Sequence, residues 1–391
     1  MNEAVGNLAS LGTVLREWGR IGVTGFGGPP AHIALLRRLC VDRRGWLDAA
    51  EFEDAIAACN LLPGPASTEL AIFCAWRVRG RLGAVVGGLA FIVPGLILIL
   101  VLAALFLAGT PPLWVRGLGA GAGAAVAAVA VQAAWSLLVP SWKRASTREP
   151  VLASRLRWAG YLLAGGAAAA TIGPWLVLVL LGCGGFELAL RARRWPAAAA
   201  GIAPLFPAAL GGGILASVAW VAFKVGALSF GGGFVIIPLM QADAVGRHWM
   251  TNAQFLNAVA LGQITPGPVV QTVSAVGYAA AGLPGGLLAA AVAFSPSFAF
   301  VLGGGRYFAR LRDNRYAQSF LDGAGPAAIG AILGAAVLLA RALSVPWQFA
   351  VLAGAGVLLL VLRRGVVLTL LGAAAVGLAI SLAGGPLPWG R

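Results

Sequence analysis

Gly25-Phe26-Gly27-Gly28-Pro29 and, about two hundred residues later, Ser229-Phe230-Gly231-Gly232-Gly233 each interrupt an apolar run that would otherwise continue as helix. Glycines so closely spaced weaken a helix and admit backbone angles that other residues avoid. Inside a bilayer such a break survives only where protein or a water-filled cavity satisfies the freed N–H and C=O groups. Two breaks of one design predict a duplicated membrane protein with a paired internal site.

The rest of the composition agrees. Of 391 residues, 60% are hydrophobic and only 10% charged, with a mean hydropathy of +0.88. A water-soluble protein of this size needs more charge to cover its surface. Apolar runs long enough to cross the hydrocarbon core, roughly 20 residues at about 1.5 Å each, recur throughout. The class is therefore an all-α polytopic membrane protein.

A net charge of +15 does not here point to nucleic acid, because the basic residues are confined to short loops between apolar runs. That is the pattern of loops retained on the cytoplasmic side. A basic vestibule that draws anions in is a second reading of the same charge, with Arg37, Arg38, Arg43, Arg44 and Arg77 as its candidates. Cys40, Cys59, Cys74 and Cys183 lack CxxC spacing and partner histidines, so neither a metal nor a disulfide is expected, and no cofactor. Met1 to Ser10 lacks the basic start and cleavage site of a signal peptide.

Taken in order, a first helix over 11–24 meets the glycine break, and a short helix follows through Leu36 into a basic loop. The acids Asp48, Glu51, Glu53 and Asp54 read as the first turn of the next helix, which must stop or kink at Pro63-Gly64-Pro65. A helix over 66–76 ends at Arg77, Arg79 and Arg81; long apolar segments follow at 83–108, 113–140, 158–172 and 174–190. Residues 196–213, broken by three prolines, read as a connecting segment.

Then the pattern starts again. Phe26 matches Phe230, Trp46 matches Trp249, Phe52 matches Phe255, and Pro63-Gly64-Pro65 matches Pro266-Gly267-Pro268. Val93-Pro94 matches Ser295-Pro296, and Gly121 with Gly123 matches Gly323 with Gly325, always at an offset of 202 to 204. The basic loops alternate between the halves. Loops 37–44, 77–81 and 143–157 are rich in Arg and Lys, whereas their counterparts near 241–252, 278–284 and 342–346 are nearly free of them. Conversely Arg306, Arg310, Arg312 and Arg315 stand opposite the uncharged Thr110-Pro111-Pro112 turn, and Arg363 and Arg364 opposite the uncharged turn at 172–174. If basic loops stay inside, a C-terminal repeat (214–391) is inverted relative to an N-terminal one (1–195). Each half is expected to hold re-entrant or half-helix hairpins plus four spans, roughly nine to thirteen membrane segments in all.

Inverted repeats with matching broken helices point to a secondary transporter with its site near the midplane. A helix that begins within the membrane directs free N–H groups and partial positive charge at that point, so it holds an anion without a charged side chain. The candidate binding set is Gly25, Phe26, Gly27, Gly28, Pro63, Gly64, Pro65 and Ser67, with Ser229, Phe230, Gly231, Gly232, Gly233, Thr265, Pro266, Gly267 and Pro268. Asn60, Thr68, Gln263 and Gln271 add neutral hydrogen bonds. The bland alternative for any single glycine is a hinge or a close-packing point. Charges at depth default to function: Glu69 as a carrier of a coupling proton, Lys224 as an attractor of the anion, His32 as proton carrier or donor, Asp322 as partner of a helix start or taker of a proton. Trp46 and Trp249 read as interface anchors. An enzyme is the rival class, but there are only two histidines and no HExxH, GxSxG or aspartate pair within the spans.

At Gly25-Phe26-Gly27-Gly28-Pro29-Pro30-Ala31-His32, Arg43-Arg44-Gly45-Trp46-Leu47, residues 61–67 (LLPGPAS) and residues 262–268 (GQITPGP), the chain resembles the chromate ion transporter family, over nearly its whole length and in both halves. The resemblance implies chromate export across the bacterial inner membrane, driven by the proton motive force or by exchange with another anion, with sulfate as a similar tetrahedral oxyanion. A homodimer is compatible with it. The family motif has glutamine where this chain has Glu69, a departure that places an acid close to the proposed anion site.

Overall fold

A computed structural model describes residues 8–60, 64–107, 111–147, 150–171, 175–191, 213–229, 236–304 and 314–388. Pro63, Phe230, Gly231, Gly232, Gly233, the connecting stretch 196–212, and Arg306, Arg310 and Arg312 lie outside the described residues. The regular structure among the described residues is entirely helical.

The helix α1 (Leu11–Thr24) is capped by Ser10, which accepts from the Thr13 N–H, and buries Val14, Trp18 and Ile21 on one stripe. It ends at Gly25. The break follows, with Gly27 at φ +100° and Gly28 at φ +73°, before α2 (Pro29–Arg37) and a π-helical turn over Arg38–Arg43. Asp48 caps α3 (Ala49–Cys59), and Pro65 opens α4 (Ala66–Phe106). Then come α5 (Leu113–Ser146), α6 (Val151–Thr171) and α7 (Leu176–Arg191). In the second half α8 (Ile214–Ala227), α9 (Ile236–Gly246) and α10 (Asn252–Ile264) precede a 3-10 turn (Val269–Gln271) and α11 (Thr272–Gly304). The chain closes with α12 (Arg315–Arg341), α13 (Pro346–Gly356), a π-helical turn (Val357–Val361) and α14 (Val366–Leu382).

Four of these, α4, α5, α11 with its preceding turn, and α12, are long and apolar enough to cross a membrane. At 41 residues α4 is about 60 Å long, twice a hydrocarbon core, so it cannot be one straight span. It is not straight. Arg79 (φ −144°, ψ 24°) and Gly80 (φ 65°, ψ −158°) break it, and Ala281 (φ −146°, ψ 28°) and Gly282 (φ 63°, ψ −154°) break α11 identically, 202 residues later. The piece from 66 to 78, roughly 20 Å, is too short to span.

Local structure repeats elsewhere as well. The Arg44 guanidinium lies over Trp46 and that of Arg247 over Trp249, while Gly45 and His248 between them share a left-handed φ of 57° and 58°. Asp48 and Thr251 cap α3 and α10 in the same way. Packing follows suit: α1 lies on α4, α8 on α11, and α4 on α11. The outer helices are exchanged, α12 packing on α6 and α7, and α5 on α13 and α14. Gly121 of α5 meets the Ala373 carbonyl of α14, and Gly323 of α12 meets the Cys183 carbonyl of α7, so closely that a Cβ at either glycine would collide. Small residues of this kind let membrane helices approach.

The helices α5 and α12, which carry the glycine pairs matched in sequence, run in opposite directions. The end of α5 (Ser141, Arg144) and the start of α12 (Leu321, Asp322) share one small pocket with Arg157 and Arg191. The start of α5 meets the far end instead, where Gln348 donates to the Ala120 carbonyl at 3.2 Å.

Candidate functional site

The break at residues 25–28 closes on the second half. The Gly25 carbonyl accepts the Gly267 N–H at 3.0 Å and lies 2.9 Å from His32 Nε2. A carbonyl only accepts, so Nε2 carries the hydrogen, and in the neutral ring Nδ1 accepts from the Ser67 hydroxyl at 3.3 Å. His32 is fully buried and stands edge-on to Phe91, ring centres 5.0 Å apart. It therefore ties the first break to the start of α4, with both nitrogens occupied. That is a positioning arrangement, and no group on the imidazole is left to donate to an anion.

Beside this knot is a cavity of about 340 Å³. Gly27 and Gly28 line it, together with Ala66, Val269, Asn60 and Gln263; α5 adds Gln132 and Ser136. Ala66 and Val269 are the first helical residues after the two Pro-Gly-Pro motifs and lie 203 apart. The first N–H groups of a helix have no intrahelical partner. Two such ends, each with its partial positive charge, thus reach one cavity whose described lining contains no charged side chain. Gln263 is 92% buried, and its Nε2 has no hydrogen-bond partner among the described residues, which leaves an amide donor at the wall. An unoccupied donor there suits an acceptor-rich ligand.

The α2 start contributes less than expected. Pro29 and Pro30 occupy its first two positions and have no N–H, and the Ala31 N–H is spent on Gly28. Only the Gly27 and Gly28 N–H groups remain, neither with a backbone acceptor among the described residues.

Other candidates are placed as follows. Gly64 and Pro65 are buried beside Ser67, and Pro65 takes the Thr68 and Glu69 N–H groups. Pro266 lies against Gly95 of α4, and Pro268 opens the 3-10 turn. Phe26 is exposed. Thr265 is not free to bind: its hydroxyl closes the last turn of α10 by donating to Leu261 at 2.9 Å. Gln271 donates to the Ile92 carbonyl at 2.7 Å, tying the second motif to α4. Ser229 and Thr68 are buried, with hydroxyls lacking a partner among the described residues.

The charged candidates are mostly neutralised locally. Lys224, expected to draw the anion, is held instead by Asp243, which also takes Arg247 at 3.4 Å. Asp322 pairs with Arg191 at 2.7 Å, next to Glu187 and Arg157. Arg44 and Arg43 flank Glu17, Arg37 pairs with Glu53, and Arg77 with Glu51, which gives the acidic run at 48–54 a pairing role beyond a solvated face. Arg38 is exposed. Glu69 is fully buried near the start of α4 but does not line the cavity. The residues missed by sequence reading are Gln132 and Ser136, polar side chains four apart in the apolar run of α5, and Asp243.

A multi-pass helical membrane protein with matched broken helices meeting at an internal cavity is the class that fold and site define. Within that class the chain belongs to the chromate transporter family, whose family model matches residues 12–188 and 216–378. It is 33% identical over 376 residues to a chromate transport protein of Cupriavidus metallidurans, covering 92% of this chain and 90% of that one. It is 32% identical over 369 residues to a chromate transport protein of Pseudomonas aeruginosa, with 87% and 83% covered. A probable chromate transport protein of Synechococcus elongatus is 30% identical over 344 residues, with 85% of each chain covered. No solved structure matches significantly.

Proposed function

We propose that this protein exports chromate across the bacterial inner membrane by alternating access between two inverted repeats, residues 1–195 and 214–391. The proton motive force or exchange against another anion drives it. The reading rests above all on the two helix starts, Ala66 and Val269, that open on one uncharged cavity with the Gln263 amide. Oriented N–H groups hold a dianion while adding no counter-charge that would have to be desolvated or released in each cycle. The relatives' names supply the substrate. The antiparallel run of α5 and α12 supports the inversion, and the charged helix ends gathered at one pocket support a cytoplasmic face there.

Such a site recognises charge and tetrahedral shape, which sulfate shares, so sulfate is the natural competitor. Uptake of labelled chromate into everted membrane vesicles, with and without a proton gradient, tests the reading. Saturable uptake that sulfate reduces is expected. Absence of uptake in vesicles shown to contain folded protein would refute chromate export.

A further inference from the structure

We propose that Glu69 is a proton-binding site linked to anion binding, because its carboxyl and the bound anion draw on the same helix end. The inference rests on the anion-site reading above. Glu69 lies in the first turn of α4, whose leading residue Ala66 lines the cavity. Helical side chains lean toward the N-terminus, and the Glu69 carboxyl curls back onto Gly64, occupying the space where a side chain at that glycine would stand. The Ser297 hydroxyl of α11 lies 3.3 Å from the same point. Neither carboxyl oxygen has a hydrogen-bond partner among the described residues, and the side chain is fully buried.

Among the described residues no cation pairs with it. Of the elements packed on α4, α10 and the 3-10 turn contain no titratable residue, and α11 contains only Tyr278. The α2 segment brings His32, bonded to Ser67, and α3 brings Cys59; Glu51 and Glu53 of α3 are paired with Arg77 and Arg37. On α1, Glu17 is held by Arg44, and Arg16 and Arg20 are exposed; Arg116, Lys143 and Arg144 sit toward the ends of α5. None of these forms a salt bridge with Glu69 among the described residues. A bare carboxylate in such surroundings is costly. Besides the Ser297 hydroxyl, what favours its charge among the described residues is the positive end of α4, which is also what the anion needs. Two negative groups at one helix end oppose each other, so the anion binds to the protonated form, and anion and proton occupy the protein together.

The experiment measures sulfate and chromate affinity of the detergent-purified full chain and of Glu69→Gln from about pH 6 to about pH 9. Sulfate keeps its charge over that range, and for chromate the ratio to the variant cancels the ligand's own titration. Wild-type affinity relative to E69Q is expected to fall by up to about tenfold per pH unit above the titration of Glu69. A second reading needs no variant: adding sulfate to weakly buffered wild type at the upper pH should draw up to about one proton per chain out of solution. Parallel pH profiles in both proteins, or sulfate binding without proton uptake, would overturn the linkage. Failure of both proteins to bind either anion at any pH would overturn the anion site itself.

Discussion

Gly28 holds φ 73° and ψ −157°, a region essentially closed to any residue with a Cβ, where another side chain costs about 1–3 kcal/mol. It lines the cavity, and a Cβ there would stand 3.6 Å from Val269. Gly28→Val should therefore accumulate in the membrane yet lose most chromate transport, measured as uptake against protein level. Gly80→Ala carries a similar backbone penalty away from the cavity and should keep transport; equal loss in both would reduce Gly28 to a structural hinge. The break at these glycines was legible because three of them in an apolar run end a helix. The role of His32 was not, since its partners converge only when Gly267, from the other half, folds onto Gly25. Thr265 misled for a related reason, because a threonine near a helix end spends its hydroxyl on its own helix as readily as on a ligand.

The short helices α8 and α9 are joined by the ion pair Lys224–Asp243, whose carboxylate is buried and whose lysine is largely so. Removing one partner of a buried pair strands the other charge, at about 3–5 kcal/mol. Asp243→Ala is expected to lower the thermal midpoint of the detergent-solubilised protein markedly, and adding Lys224→Met should restore much of the loss. An undisturbed midpoint in the single variant would mean that the pair holds nothing together. A lone lysine in an apolar run looks like a functional charge. Its partner, 19 residues on and beyond the second glycine-rich stretch of sequence, carries no signal that marks the two as neighbours. The helix starts themselves were readable, since proline and glycine punctuate a chain wherever it folds. The break inside α4 was half-legible: three arginines marked a boundary, but the turn is made by Gly80, whose angles recur at Gly282.

Across the molecule, the halves are interlocked, with α12 against α6 and α7 and α5 against α13 and α14. The 202 to 204 offset was visible in sequence where matched features share a local geometry, as at Trp46 and Trp249. The exchange of helices was not visible, because it depends on which faces meet, and glycine-rich faces such as those at Gly121 and Gly323 fit several partners equally well. The proposed transport by alternating access requires that the two halves whose helix ends reach one cavity face opposite ways in the membrane. Single cysteines at Asp42, in the turn after α2, and Gly246, at the end of α9, both exposed, read this out with a membrane-impermeant thiol reagent, scored against the parent chain. Inversion predicts that Asp42→Cys is labelled only after the cells are permeabilised and that Gly246→Cys is labelled in intact cells. Labelling of both from the same side would contradict it.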